Sequence, residues 1–129
     1  MRSDLKRIYK SFNGKLIGNV HMKKCVCETV AHMTPKIIAY ITNQCWFISS
    51  MEDAWAFTFT GNDLKNQHLI FLSDELLTQH SPQIYYSIAH EIGHVMLGHR
   101  NSVLKRQTKR EIKKQETAAD AFAKQFITK

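Results

Sequence analysis

The stretch from His90 to His99 reads H-E-I-G-H-V-M-L-G-H, and its first five residues match the pattern H-E-x-x-H. On an α-helix, His90 and His94 are one turn apart, roughly 6 Å along the axis at about 1.5 Å per residue. Both imidazoles therefore leave the same helix face, where they can bind one metal ion together. Glu91 lies beside them and can reach a metal-bound water instead of the metal. To form a metal site, this motif must lie on a helix, have a third ligand from elsewhere in the chain and be packed beside a sheet.

Apolar residues recur at helical spacing on both sides of the motif, and this pattern predicts a helix over residues 82–97. Ser81 and Pro82 supply a capping hydroxyl and a proline at the first helical position. Gly93, between the two histidines, costs roughly 1 kcal/mol of helix propensity against alanine. We expect another backbone to approach closely there. The apolar positions with this period are Ile84, Tyr85, Ile88, Ala89, Ile92, Val95 and Met96.

Two carboxylates interrupt the apolar face of the last helix, which we expect over residues 109–127. Glu116 is four residues after Ile112 and three before Ala119, and Asp120 is one turn beyond Glu116. Burying a carboxylate costs several kcal/mol unless it is paired or bound to a cation. Local rules tend to fail at functional sites. The position of these two acids therefore indicates a cation on this face.

These residues together predict a catalytic zinc site with one Zn²⁺ per chain. His90, His94 and Glu116 would give two nitrogens and one carboxylate oxygen, which leaves a fourth position for water. The metal would lower the pKa of that water to about 7 and polarise a peptide carbonyl. Glu91 would be the general base, taking the proton of the attacking water and passing it to the leaving amine. Asp120 would accept a hydrogen bond from the second ring nitrogen of a ligand histidine.

The segments A-H-E-I-G-H-V-M-L-G-H and E-T-A-A-D-A-F-A-K-Q-F-I, residues 89–99 and 116–127, resemble the ImmA/IrrE family of small intracellular zinc endopeptidases. H-E-x-x-H followed by E-x-x-x-D also looks like the gluzincin arrangement of metallopeptidases. The resemblance covers roughly residues 34–127 and implies that Glu116 is the third ligand and Asp120 a supporting residue. It further implies cleavage of a specific protein, often a DNA-binding repressor, whose backbone adds to an edge strand of the sheet.

The chain departs from this family in two respects. Many relatives carry an extra DNA-binding or regulatory domain, for which a chain of 129 residues has no room. No oxyanion stabiliser besides the metal stands out, and Tyr85, Tyr86, His68 and His99 are unranked candidates. Metzincins fit poorly, because their third histidine lies six residues after the second, whereas His99 is five residues after His94.

The rest of the sequence predicts a single α+β domain over residues 1–129, with a peripheral segment 1–33 and a core at 34–127. We expect a small three-stranded sheet, antiparallel because its connections are short, packed on helices in a minimal zincin-like fold. The apolar residues in 15–33 fit neither the spacing of a helix nor that of a strand. The elements expected before the motif are helices at 3–12 and 35–43 and strands at 45–48, 54–60 and 68–72.

Composition argues against a membrane protein and against disulfide bonding. Hydrophobic residues make up 43% of the chain, yet no apolar run approaches the roughly 18 residues of a membrane span. The N-terminus lacks the apolar core of a signal peptide, so we expect a cytoplasmic protein. Cysteines 25, 27 and 45 are odd in number, which favours free thiols. Cys25-x-Cys27 with His21 and His32 is an alternative metal site, but its spacing is not a standard zinc pattern.

The net charge of +7 is concentrated between Arg100 and Lys114, where seven residues are Lys or Arg. This stretch would serve as a contact surface for nucleic acid or an acidic protein. A solvated loop and helix start is the favoured interpretation, since no aromatic residues lie between the charges to stack on bases. The alternative to a peptidase is a catalytically silent zincin-fold module that binds through this stretch. The substrate, the oligomeric state and a native metal other than zinc, such as manganese or iron, stay open.

Overall fold

A computed structural model describes residues 3–50, 56–60, 67–98 and 108–127. His99, Trp55 and residues 100–107 of the basic stretch lie outside them. The helices are α1 (Ser3–Phe12), α2 (Val20–Ala31), α3 (Pro35–Gln44), α4 (Ser81–Met96) and α5 (Lys109–Phe126). The strands are β1 (Leu16–Ile17), β2 (Cys45–Ser50), β3 (Ala56–Thr60) and β4 (His68–Ser73), and a short 3₁₀ turn covers Leu76–Thr78.

The described residues are mainly helical, and their sheet is mixed, with the strand order β1-β2-β4-β3. β1, β2 and β4 are parallel, and only the edge strand β3 runs antiparallel, against β4. The expected fold class, α+β with a three-stranded antiparallel sheet, is therefore wrong. Short connections suggested that strands adjacent in sequence would pair. Instead β4 inserts between β2 and β3, and two helices separate β1 from its parallel partner β2.

Local capping explains where the early helices begin. The Thr34 side chain accepts a hydrogen bond from the backbone N–H of Ile37, and Pro35 follows it, as expected for a helix start there. Asn19 caps α2 in the same way, accepting from Met22. α2 packs against both α1 and α4, so its buried residues are not confined to one narrow stripe. This explains why the sequence of 15–33 favours no single period.

The core contains residues from the helices and from the central strands. Fully buried large side chains include Phe12 of α1, Met22 and Val26 of α2, Phe47 of β2 and Ile88 of α4. The three cysteines are free and buried, as expected. Burial raises the pKa of the Cys25 and Cys27 thiols to about 11, so these thiols are unreactive at neutral pH.

α4 and α5 pack closely together and hold all the expected site residues. A Cβ atom on Gly93 would lie 3.2 Å from the Ala119 carbonyl oxygen and 3.1 Å from Phe122 Cδ1. The expected close approach of a backbone at Gly93 is therefore confirmed. The other side of α4 packs against α2, and α4 also contacts the edge strand β3. Within the described part of the chain, no helix combines the length and apolar character that crossing a membrane requires.

Candidate metal centre

The two helices that position the site begin and end close to where the sequence predicts. α4 spans Ser81–Met96, with Pro82 in its first turn. α5 spans Lys109–Phe126, and the Thr108 hydroxyl caps it by accepting a hydrogen bond from the N–H of Glu111 at 3.1 Å. Because residues of successive turns share a face, α4 presents His90 with His94, and α5 presents Glu116 with Asp120.

The ligand atoms of His90, His94 and Glu116 converge on one point. His90 Nε2 lies 2.8 Å from Glu116 Oε2, and His94 Nε2 lies 3.0 Å from Glu116 Oε1. The two Nε2 atoms are 3.2 Å apart. Atoms bound tetrahedrally to zinc at 2.0–2.1 Å are about 3.3 Å from one another. The three side chains therefore fit a small cation after shifts of a few tenths of an ångström.

The chemistry of these atoms also fits a metal ion. Two imidazole nitrogens and a carboxylate oxygen are electron-pair donors. At these distances their lone pairs repel one another unless protons or a cation lie between them. The histidine side chains are 15% and 13% exposed, whereas that of Glu116 is 52% exposed. The centre is thus closed on the α4 side and accessible beside Glu116. Among the described residues, this is the one set of three such side chains whose ligand atoms converge.

Asp120 lies behind His90. The His90 Nδ1–H donates to Asp120 Oδ1 at 2.8 Å, which leaves the lone pair on Nε2 to face His94 and Glu116. The same oxygen accepts a second hydrogen bond, 3.0 Å long, from the hydroxyl of Tyr86. Sequence reasoning named Tyr86 only as an oxyanion candidate. Its spacing, one turn before His90 on the same helix face, was the available indication that it lies near the ligand.

Glu91 is buried, with 7% of its surface exposed. It follows His90 directly and so projects about 100° around the helix from it. It is not one of the three converging ligands. Glu91 is therefore not a surface residue, and a buried carboxylate close to two histidines is a candidate acid–base group.

The remaining oxyanion candidates have other partners. The Tyr85 hydroxyl donates to Glu28 of α2, and burial together with this carboxylate raises the pKa of Tyr85 to about 12. His68 Nε2 shares a hydrogen bond of 3.1 Å with the Tyr40 hydroxyl, and burial lowers the pKa of His68. His99 lies outside the described residues.

The cysteine alternative is not supported by the geometry. His21 Nε2 lies 3.0 Å from the Leu77 carbonyl oxygen, a hydrogen bond in which the ring donates. Cys25 Sγ is 3.8–3.9 Å from the His21 ring nitrogens and belongs to the buried core.

Comparison with known proteins agrees with a proteolytic site. A family model described as Peptidase U49 matches residues 83–129. The matched segment contains His90, Glu91, His94, Glu116 and Asp120. No curated protein and no solved structure matches the chain significantly. The last third of the chain is thus similar to a peptidase family, which supports a peptidase without distinguishing the ImmA/IrrE group.

Proposed function

We propose that this protein is a zinc-dependent endopeptidase that cleaves a peptide bond in a specific protein. The observation that carries the proposal is the convergence of His90, His94 and Glu116 at 2.8–3.2 Å. They lie in the segment that resembles a peptidase family. Two nitrogens and one carboxylate form the ligand set of catalytic zinc in thermolysin-like enzymes.

The reaction is divided between the metal and the chain. Zinc at this site would polarise the substrate carbonyl and make a water acidic enough to ionise near neutral pH. Glu91 accepts the proton as the water oxygen bonds to the carbonyl carbon. It then delivers this proton to the amide nitrogen as the C–N bond breaks, which yields an amine and a carboxylic acid, and the acid then releases its own proton to solvent. His90 and His94, which are only 15% and 13% exposed, keep the ligand geometry fixed, and the exposed side of Glu116 admits the substrate.

The edge strand β3 is the element we propose for substrate binding. It lies at the end of the sheet order, pairs with β4 on one side, and contacts α4. An extended peptide that adds to its outer edge would be held by backbone hydrogen bonds, and we propose that it runs beside the α4 histidines. Cleavage of an intracellular protein, such as a transcriptional repressor, is the finer proposal and rests on the motif resemblance alone.

Glu91→Gln and His94→Ala test the proposal together. Glu91→Gln keeps the shape but cannot accept a proton, so it should retain about one zinc per chain and lose about 10²–10⁴-fold in peptide cleavage. His94→Ala should lose both metal and activity. Metal is measured by elemental analysis of untagged protein, and cleavage by mass spectrometry on a peptide library. A Glu91→Gln variant as active as the parent, or a parent that binds no zinc, would contradict the proposal.

A second candidate is a binding module that uses the cations of α5. Lys109, Arg110, Lys113 and Lys114 are exposed. Each pair spaced i,i+4 carries like charges, which destabilises a helix. An anionic partner would offset this repulsion. Binding to duplex DNA with a steep salt dependence, unchanged in Glu91→Gln, would support this candidate. The absence of binding at low salt would remove it.

A further inference from the structure

We propose that Tyr86 is a positioning residue of the metal centre, which holds Asp120 so that Asp120 can fix the His90 imidazole. This inference rests on the proposed metal site. It goes beyond the ligand set and the acid–base residue, because Tyr86 acts in this role through Asp120 and is not one of the three converging ligands.

The geometry forms a chain of two hydrogen bonds that meet on one oxygen. The Tyr86 hydroxyl donates to Asp120 Oδ1 at 3.0 Å, and His90 Nδ1–H donates to the same atom at 2.8 Å. Tyr86 and His90 are one turn apart on α4, whereas Asp120 comes from α5. The carboxylate thus bridges two turns of the neighbouring helix, and its position depends on both donors.

The difference in burial between Tyr86 and Asp120 indicates which of the two holds the other in position. The Asp120 side chain is 47% exposed, so water competes for its oxygens and several rotamers are open to it. Tyr86 is 7% exposed, and its ring is part of the hydrophobic core. Its hydroxyl is therefore presented from a fixed position. A fixed donor selects one orientation of the exposed carboxylate, and that orientation is the one that also reaches His90.

The consequence for His90 concerns its tautomer and its ring angle. While Asp120 accepts from Nδ1–H, the Nε2 lone pair faces His94 and Glu116. If Asp120 turns toward solvent, the His90 ring can rotate or carry its proton on Nε2, and either change removes one ligand. Partners of this kind typically change metal affinity 10–100-fold. Tyr86 acts one bond further away, so we expect about tenfold, the lower end of that range.

Tyr85 provides a matched control. It is adjacent on the same helix, carries the same hydroxyl, and donates it to Glu28 of α2 instead of to the metal centre. Tyr85→Phe and Tyr86→Phe remove the same atom and keep the ring that packs in the protein. A loss of affinity caused by general loosening of α4 should appear in both variants. A positioning effect should appear in Tyr86→Phe alone.

The experiment measures zinc affinity by competition with a chromophoric chelator, and the absorption spectrum of the cobalt-loaded protein. We expect Tyr86→Phe to bind zinc about tenfold more weakly and to shift the cobalt ligand-field bands, while Tyr85→Phe matches the parent. In an Asp120→Ala background the same Tyr86 change should have no effect, since its hydroxyl acts through that carboxylate.

Three outcomes would overturn the inference. One is parental affinity and an unchanged cobalt spectrum in Tyr86→Phe. The second is an equal loss in both tyrosine variants, and the third is a tenfold loss that persists without Asp120. A parent chain that binds no zinc would instead overturn the proposed function, so the two failures are distinguishable.

Discussion

His68 and His90 show how the groups around an imidazole determine whether it can bind a metal or stays a neutral core residue. His90 contacts a carboxylate through each ring nitrogen, at 2.8 Å in both cases. His68 is 6% exposed and shares a hydrogen bond with the Tyr40 hydroxyl. Burial lowers the pKa of His68, because a charged ring would lose its hydration there. The first environment suits a metal ligand, and the second keeps a histidine neutral.

The buried His68 should make the protein less stable in mild acid. Its pKa is lower in the folded than in the unfolded chain, so the unfolded chain binds more protons and stability rises with pH. The contribution is complete above the ordinary value near 6.5 and is lost as the pH falls through the folded value. Each pH unit in that window costs up to about 1.4 kcal/mol. His68→Gln, which cannot titrate, should lose less stability between pH 7.5 and pH 5.

Urea unfolding of metal-free protein at the two pH values checks this. His32 is exposed, so His32→Gln should lose as much stability on acidification as the parent does. The same loss in His68→Gln as in the parent would mean that another group carries the acid sensitivity.

At the scale of elements, the contact between α4 and α5 depends on the missing side chain of Gly93. Gly93→Ala gains roughly 1 kcal/mol of helix propensity. Its methyl group would meet the Ala119 carbonyl at 3.2 Å and Phe122 at 3.1 Å, and a backbone carbonyl cannot move alone. Overpacking of this kind costs about 1–3 kcal/mol. We expect a net loss of up to about 2 kcal/mol in unfolding free energy, and weaker zinc binding because α5 carries Glu116.

The measurements are urea unfolding without metal and zinc affinity by chelator competition. A Gly93→Ala variant that is stabilised by about 1 kcal/mol and binds zinc like the parent would show that the two helices have room to separate.

The cations in the first turns of α5 oppose the helix dipole. The N-terminus of a helix favours negative charge and its C-terminus positive charge, by about 0.3–1 kcal/mol per group. Arg110→Glu should therefore stabilise the protein by about 0.5–1 kcal/mol, since it also replaces a repulsive pair with Lys114 by an attractive one. Lys124→Glu makes the same change of charge at an exposed position in the last turn and should destabilise.

Urea unfolding at low ionic strength compares the two variants. Changes of opposite sign in the free energy of unfolding would show that the local field of α5 decides the effect. Equal shifts would show that the net charge of the chain decides it, and would contradict the prediction.

At this scale, the sequence predicts those features that residues close together in the chain determine. Thr34 and Pro35 define a helix start by themselves, and the spacing of His90 and His94 is fixed by any helix. The order of the strands depends on contacts between distant segments, and nothing local in His68–Ser73 says that it lies between β2 and β3. β1 has two residues and no pattern of its own. The contact of Tyr86 with Asp120 likewise depends on how two helices pack.

For the molecule as a whole, the buried thiols report on the integrity of the core. Cys25 and Cys27 lie in α2, and Cys45 begins β2, so the thiols sample both the helices and the sheet. Native protein at pH 8 should resist iodoacetamide, because the thiols are buried and the pKa of Cys25 and Cys27 is about 11. Three modifications per chain should appear on denaturation, measured by intact mass. Native labelling at Cys25 or Cys27 would contradict the packing of α2.

α5 packs closely on α4, but the side chains that it buries completely are small. Its fully buried residues are Ala119 and Ala123, both small, while its first two turns are exposed. A metal bound by two α4 histidines and Glu116 would therefore add to the contacts that hold α5 against α4. Binding stabilises the folded form by RT ln(1 + [L]/Kd), about 4 kcal/mol at a thousandfold excess over Kd. Zinc should thus raise the melting temperature of the parent and leave His94→Ala unchanged.

This stabilisation should be uneven, because the metal joins two particular helices. Removing zinc with a chelator should speed amide hydrogen exchange in α5 at least about tenfold, since local opening of α5 no longer breaks metal bonds. The amides of α2, whose Met22, Val26 and Val30 are fully buried, should keep their protection. His94→Ala should resemble the chelated parent with or without zinc. Equal acceleration in both helices would mean that the metal supports the whole fold and that α5 does not open separately.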